Sequence, residues 1–322
     1  MRGLNHSVNR EAIKNPIVDT SSLYLFDTVV SSYNSCVDAH LKADCAERVV
    51  HLTAQDEVRK HFPLSRITED KAGTDIPAHF TELALPGAHS DIGGGYYSRW
   101  SLSNPNSAPA LTECVELERF MSVESANTPD GTSRAYQQAK VYAEEKKAMG
   151  WVDSINPHLP RGVIPSLGAI SLKPYSFRRS EGKNSSGPSK KSVYVEVLMN
   201  RVVEGEYSRI PLHMMVEAGR AVGVPFKQWR SEERTLQLES LSVKRPAVNL
   251  TKLDQLWVQA AAKQKVVENL AYSLSLDDYR ALRRDYLHHS ASSQGIANPA
   301  NTNKYEATVS KERRELIGNK KE

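Results

Sequence analysis

Two short segments carry residue types that could move a proton. In residues 23–31, LYLFDTVVS, an apolar run empties into Asp27. In residues 85–97, LPGAHSDIGGGYY, His89 follows a Pro-Gly turn and precedes Asp91 and the run Gly93, Gly94, Gly95. An imidazole titrates near neutrality, so His89 is the candidate general base. A carboxylate on the second ring nitrogen fixes the tautomer and stabilises the imidazolium, which is the candidate role of Asp27. Three successive glycines each cost of order 0.5–1 kcal/mol against alanine. A loop wrapped tightly to aim one imidazole would need them, whereas a plain surface turn would not. Two other readings stay open. An acid after a strand is commonly a turn or cap residue, and His89, Asp91 and Asp27 could serve a metal-dependent hydrolase, although these ligand types favour no particular ion.

Both candidates follow segments that read as strands. Ser22–Phe26 (SLYLF) is a short apolar run bounded by polar residues, and Phe80–Leu85 (FTELAL) is stopped by Pro86-Gly87. Functional groups of α/β folds collect at such C-terminal strand edges. Residues 36–60 mix alternation with helical spacing and predict no single element. Beyond a Ser/Asn/Pro/Ala-rich stretch at 101–110, residues 112–121 and 133–149 show helical spacing. Residues 156–161 are Pro-punctuated, and 180–189 have flexible-loop chemistry. Alternation over 193–199 predicts a strand. Leu212, Met215, Val216 and Gly219 then predict an amphipathic helix ending near 223–225. Thr251 with Asp254, and Ser275 with Asp278, resemble capping-box starts for two further helices. The tail from residue 298 is polar. No internal repeat is found.

Composition bounds the class. In 322 residues, 39% are hydrophobic and 25% charged, which fits a globular chain with a sizeable core. Apolar runs are too short for a membrane-spanning helix, and residues 1–15 lack the apolar centre of a signal peptide. Cys36, Cys45 and Cys114 are odd in number and have no metal-ligand spacing, so neither a disulfide framework nor a zinc site is expected. The net charge is only +4, but Lys173, Arg178, Arg179, Lys183, Lys190 and Lys191 crowd one stretch. That stretch could meet an anionic membrane surface, or be a solvated loop. No nucleic-acid partner, cofactor or metal is expected.

FDTV at 26–29, VHLTAQDEVRKHFPLSRI at 50–67 and LPGAHSDIGGGY at 85–96 occur in that order. Together they resemble the α/β-hydrolase domain of type VI secretion phospholipase effectors. YSRIPLHMMVEAGRAVGVPF at 207–226 resembles that family's returning helix, and DYRALRRDYLHHSA at 278–291 its closing segment. The resemblance implies an α/β chain holding part of an α/β-hydrolase core, with a mostly helical insertion and a helical C-terminal region. The expected division is 1–100 for the core part carrying the acid and the histidine, 101–192 for an insertion apposed to the membrane, 193–291 for the returning strand and helices, and 292–322 for a polar tail. Asp27 matches the family's triad acid and His89 its triad histidine, in the Ser…Asp…His order of such hydrolases. Asp91, Gly93, Gly94 and Gly95 match the supporting motif around the histidine. Asp56, Glu57 and Arg59 match a middle motif that reads equally as a structural ion-pair cluster. Arg178, Arg179, Lys190 and Lys191 are candidate lipid-facing residues.

The family's nucleophile, a serine in a Gly-x-Ser-x-Gly elbow, occurs nowhere in the sequence. The expectation is that the elbow would precede residue 1, so that the chain is N-terminally truncated and inactive alone. Ser22, Ser31 and Ser32 lie near Asp27, but none is on a glycine-flanked turn. The implied protein is an antibacterial phospholipase A-type hydrolase. It would be made in the bacterial cytoplasm, delivered through type VI spike or tube proteins, and act at the target cell's membrane or in its periplasm. A cognate immunity protein would restrain it. The alternative is a non-enzymatic truncated paralogue acting as a decoy or interaction module for that immunity protein.

Overall fold

The computed structural model describes residues 22–28, 46–57, 59, 62, 64, 77–96, 112–151, 169–179, 189–226, 248–263 and 266–289. The expected loops at 101–110 and 156–161, most of 180–189, the tail from 298, Cys36, Cys45, Ser31, Ser32 and Lys183 fall outside these residues.

Short runs of branched and aromatic residues form β1 (Ser22–Phe26), β2 (Arg48–Ala54) and β3 (Phe80–Leu85). With β7 (Val266–Asn269) they make a sheet in the order β1-β2-β3-β7, every pair parallel. All residues of β2 and β3 are buried, as strands covered on both faces must be. One face carries Val50, Leu52, Ala54, Leu83 and Leu85 and packs under helices α3 (Arg209–Arg220), α4 (Leu250–Ala262) and α5 (Leu276–Asp285). The end of α4 is buried, and its last carbonyls need donors. Arg48 supplies them from β2, at 2.9 Å to Ala261 O and 3.0 Å to Ala262 O. Helices over a parallel sheet make this a mixed α/β fold. Among the described residues no helix is long and apolar enough to cross a membrane.

The second layer differs from expectation. Residues 112–121, predicted helical, belong to strand β4 (Thr112–Ser125). With β5 (Ala169–Arg178) and β6 (Lys190–Val202) it forms an antiparallel sheet in the order β4-β6-β5. The cause is a bulge at Leu117: Glu116 pairs with Leu198 and Glu118 with Val197, leaving Leu117 extra. Val115 before the bulge, Leu117 at it and Phe120 after it all join the same core. One inserted residue thus turns a period of two into an apparent helical spacing. Helix α2 (Arg134–Ala148) does form where predicted, with Ser133 Oγ capping Tyr136 N–H at 3.2 Å. It packs Ala135, Ala139 and Ala143 against Val193, Val195 and Val197. Among its described residues the insertion therefore holds more strand than helix, against the expected mostly helical one. The expected boundary at 192/193 cuts through β6, which completes this antiparallel unit rather than returning to the parallel sheet.

Arg201 at the end of β6 ties the two units. Its guanidinium pairs with Glu113 at 2.7 Å and donates to the carbonyls of Trp151, Arg283 and Leu287. The other Glu113 oxygen accepts His289 N–H.

Candidate active site

β1 ends at Phe26, and the chain turns at Asp27 with φ of 38°, the one positive φ at a non-glycine among the described residues. That conformation costs roughly 1–2 kcal/mol for an L-residue and must be held by its surroundings. Asp27 N–H donates to Leu52 O at 2.6 Å, and Thr28 N–H donates to His51 Nε2 at 3.1 Å. The fully buried carboxylate takes Ala54 N–H at 2.7 Å on Oδ1. Its Oδ2 lies 3.1 Å from His89 Nδ1. The structure thus brings together the two residues that sequence reading paired across 62 positions.

His89 opens the five-residue helix α1 (His89–Gly93) directly after β3 and a Pro86-Gly87 turn. Its preceding loop is held by carboxylates. Gly87 N–H donates to Asp56 at 2.8 Å, Ala88 N–H to Asp91 at 2.9 Å, and His89 N–H to Glu57 at 3.1 Å. Each carboxylate also has a cationic or imidazole partner. Asp56 meets Arg283 at 2.6 Å, Glu57 meets Arg59 at 2.8 Å, and Asp91 meets His288 at 2.7 Å. Tyr279 OH adds a contact to Asp56 at 3.1 Å, and Tyr207 OH donates to Pro86 O at 2.8 Å.

These contacts separate the roles of the expected motif residues. Asp91, the third residue of α1, reaches back to the N–H of Ala88, the residue that caps the helix, so it shapes the loop. Asp56, Glu57 and Arg59 form ion pairs that support the His89 loop. Of the glycines, Gly94 has φ of 83° and Gly95 would place a Cβ 2.8 Å from Ser90 Cβ, but Gly93 meets open space at negative φ. Gly87, read from the sequence only as part of the turn after the strand, is the more constrained: φ is 112°, and a Cβ would lie 2.8 Å from Asp91 Cβ.

Charges follow the packing. The Asp27 hydrogen bond holds the His89 imidazolium favourable and raises its pKa above the usual value, against the opposing effect of partial burial. Burial pushes the Asp56 carboxyl up, but Arg283 and the Gly87 N–H more than offset it, leaving the group below the usual range. Glu57 behaves alike, with Arg59 outweighing burial. For Asp91 burial wins, and its pKa is raised despite His288. The His89 ring keeps 31% side-chain exposure and sits edge-on to Phe62, with centroids 5.5 Å apart. With Nδ1–H donated to Asp27, Nε2 is the nitrogen left to accept a proton; this tautomer is assigned from its partner. Among the described residues no group of three His, Cys, Asp or Glu is arranged to hold a metal ion.

Other expected residues lie elsewhere. Ser22 begins β1, at the strand end away from Asp27. Arg178, Arg179, Lys190 and Lys191 are on the antiparallel unit, where Arg178 pairs in register with Lys191 and Arg179 N–H bonds Lys190 O. Arg178, Arg179 and Lys190 are exposed, while Lys191 is neutralised by Asp130 at 2.7 Å. His51, Glu82, Tyr207, Arg283 and His288 had no assigned role from sequence. His51 and Glu82 did carry a signal: each is a titratable residue inside an otherwise buried strand.

Residues 5–111 match the family model described as T6SS, Phospholipase effector Tle1-like, catalytic domain. No curated protein sequence matches. A solved structure of the Tle1 effector bound to the VgrG spike of the type 6 secretion system superposes with a TM-score of 0.57 at 23% identity. The match covers 84% of this chain and 48% of that one, so the chain spans about half the length of that effector. Asp27, Asp56, Glu57, Arg59, His89, Asp91 and Gly93 to Gly95 all fall in the segment matched by the family model. By sequence over residues 5–111, and by fold over most of its length, the chain is similar to the Tle1-like phospholipase effectors of the type VI secretion system.

Proposed function

We propose that the chain supplies the acid and base of a Ser-Asp-His triad in a phospholipase A-type ester hydrolase, with the parallel sheet as part of an α/β-hydrolase core. The observation that carries this is the buried Asp27 carboxylate 3.1 Å from Nδ1 of a part-exposed His89. A serine hydroxyl brought to Nε2 would lose its proton to the ring as its oxygen attacks the acyl carbon. Asp27 stabilises the resulting imidazolium, and the ring returns the proton to the leaving alkoxide. Water then repeats the sequence on the acyl-enzyme.

The serine is not in a Gly-x-Ser-x-Gly elbow of these 322 residues. Losing the nucleophile costs roughly 10⁶ in turnover. We therefore expect no ester hydrolysis from the chain alone, and serine-inhibitor-sensitive turnover by it would contradict this. A second reading is a non-enzymatic relative that binds an immunity protein as a decoy. In the enzymatic reading the partners are membrane phospholipid, a type VI spike or tube protein and an immunity protein, and the site of action is the target cell's membrane or periplasm. The exposed Arg178, Arg179 and Lys190, beside Phe177 at 62% exposure, are the part of the insertion suited to anionic headgroups.

Reconstitution tests the proposal. The chain is joined to the elbow-bearing N-terminal part of a Tle1-like effector and assayed for fatty-acid release from phosphatidylethanolamine–phosphatidylglycerol vesicles. Release should vanish with His89→Ala and fall about 10⁴-fold with Asp27→Asn. Release indifferent to His89→Ala would sink the triad. A folded fusion that releases nothing would favour the decoy.

A further inference from the structure

We infer that His51 is a positioning residue for the Asp27–His89 pair: its Nε2 latches the Thr28 N–H and so holds the turn that aims the Asp27 carboxylate. The inference rests on the proposed reading of that pair. In a parallel ladder, alternate N–H groups face a given neighbouring strand. Asp27 N–H faces β2, where it meets Leu52 O at 2.6 Å. Had β1 continued straight, the next N–H would have faced away from β2. The positive φ at Asp27 instead accompanies a Thr28 N–H directed to the His51 ring on β2, at 3.1 Å. The bond therefore belongs to the turned state of the chain, which Asp27 adopts without being a glycine.

His51 is equipped for this role by Glu82. The two are register partners on β2 and β3, with exposures of 0% and 2%, and Glu82 Oε2 lies 3.2 Å from His51 Nδ1. The carboxylate accepts a hydrogen bond from Nδ1–H, which leaves the Nε2 lone pair for Thr28, since a ring nitrogen facing a backbone N–H must accept. A titratable pair in strands that are otherwise core is costly to bury unless its hydrogen bonds are needed. The result is a continuous path from Glu82 through His51, the Thr28 N–H and Asp27 to His89. An aliphatic residue at position 51 could fill the strand but could not hold the turn.

The test is a ring-¹⁵N NMR titration of the full chain, with His89 assigned by difference from His89→Gln. In the unmodified chain, His51 Nε2 should be a pyridine-type nitrogen with a through-hydrogen-bond coupling to the Thr28 amide. A protonated Nε2 would overturn the inference without any variant. Asp27→Asn should lower the His89 midpoint by about one pH unit; an unchanged midpoint there would refute the pair itself and with it the proposed function. His51→Gln, whose amide can reach the Nε2 position, should keep the unmodified midpoint. His51→Asn is too short and should lower it by about half as much as Asp27→Asn, with the circular dichroism spectrum intact. If Asp27→Asn shifts the midpoint but His51→Asn leaves it unmoved, the positioning role fails and the triad reading survives.

Discussion

Replacing Arg283 with methionine removes one charge from a buried pair and leaves the other. Arg283 and Asp56 have side-chain exposures of 9% and 8%, with 2.6 Å between Nη2 and Oδ1. The same nitrogen donates to Tyr279 OH at 2.9 Å, and the guanidinium lies 4.2 Å from the Tyr279 ring centroid. Methionine fills similar volume, so the loss is mainly electrostatic. Stranding one member of a buried ion pair costs about 3–5 kcal/mol, and the lost cation–π contact adds about 1. For a chain of this size the expected fall in Tm is roughly 10 °C.

The pH dependence sharpens the test. Asp56 is held below its usual value in the folded chain, so its contribution is complete above the unfolded pKa and fades as pH falls through the lower folded one. In Arg283→Met, only the Gly87 N–H and the Tyr279 hydroxyl still oppose burial, and the folded pKa rises. The variant then loses stability as pH rises through that value, and the deficit should be small near pH 3 and full at pH 7. Asp56→Asn in the same chain removes the stranded charge while its amide still accepts Gly87 N–H. The double variant should therefore recover at least about 2 kcal/mol of the single variant's loss. Urea unfolding of the four proteins at both pH values checks this. Costs that add without coupling, or a deficit independent of pH, would refute the electrostatic account.

Two further outcomes follow from the same geometry. Gly87→Ala combines a forbidding φ of 112° with a Cβ 2.8 Å from Asp91 Cβ, so a loss of about 3 kcal/mol is expected by thermal melting, whereas Gly93→Ala, in open space, should change stability by less than about 1 kcal/mol. Equal effects at the two sites would remove the stated reason for the glycine. The raised His89 pKa sets opposite trends across one window: stability from its pairing with Asp27 is complete below the unfolded value and lost as pH rises through the folded one, while the neutral ring needed as base appears over that same rise. Reconstituted ester hydrolysis should therefore climb with pH through the His89 midpoint measured by NMR, and a rate that falls there would exclude the ring as base.

The parts of the site legible in sequence are those where local chemistry and tertiary packing agree. The run before Asp27 and the one before Pro86 are apolar over the full strand and end at a turn, so β1 and β3 were predictable. α3 announced itself through apolar spacing, although Leu212 of the expected stripe is exposed, and α5 through Ser275, whose hydroxyl caps Asp278 N–H at 3.1 Å. At α4 the cap is Asn249, bonding Lys252 N–H at 3.0 Å, rather than the expected Thr251, because an Asx side chain two residues earlier meets the first free donors. β2 was hidden: Arg48 and His51 interrupt its apolar pattern, and each is explained only by partners far along the chain, the end of α4 and Glu82. The bulge at Leu117 hid β4. Asp56, Glu57, Arg59 and Asp91 were marked out by their motifs, but two distant partners were invisible for the same reason, since Asp56 meets Arg283 across 227 positions and Asp91 meets His288 across 197.

Four buried carboxylates around this loop share one arrangement: Asp27, Asp56, Glu57 and Asp91 each accept a backbone N–H and each face a cation or an imidazole. Gly87, Ala88 and His89 present three successive donors at the start of a five-residue helix too short to stabilise itself. Anionic acceptors at that end satisfy the donors and fix the direction in which His89 leaves the backbone. Chemistry and scaffold are then distinguished by exposure. Arg283, Arg59 and His288 keep 9%, 11% and 8%, while His89 keeps 31%. His288 is also an imidazole on a carboxylate, but Tyr96 stacks on it at 3.5 Å and its own N–H bonds Asp91, so it is fixed on two sides. Of the two Asp–His pairs, 27–89 is therefore the one whose imidazole stays open to solvent, as the proposed role of base requires. The 91–288 pair sets where it stands.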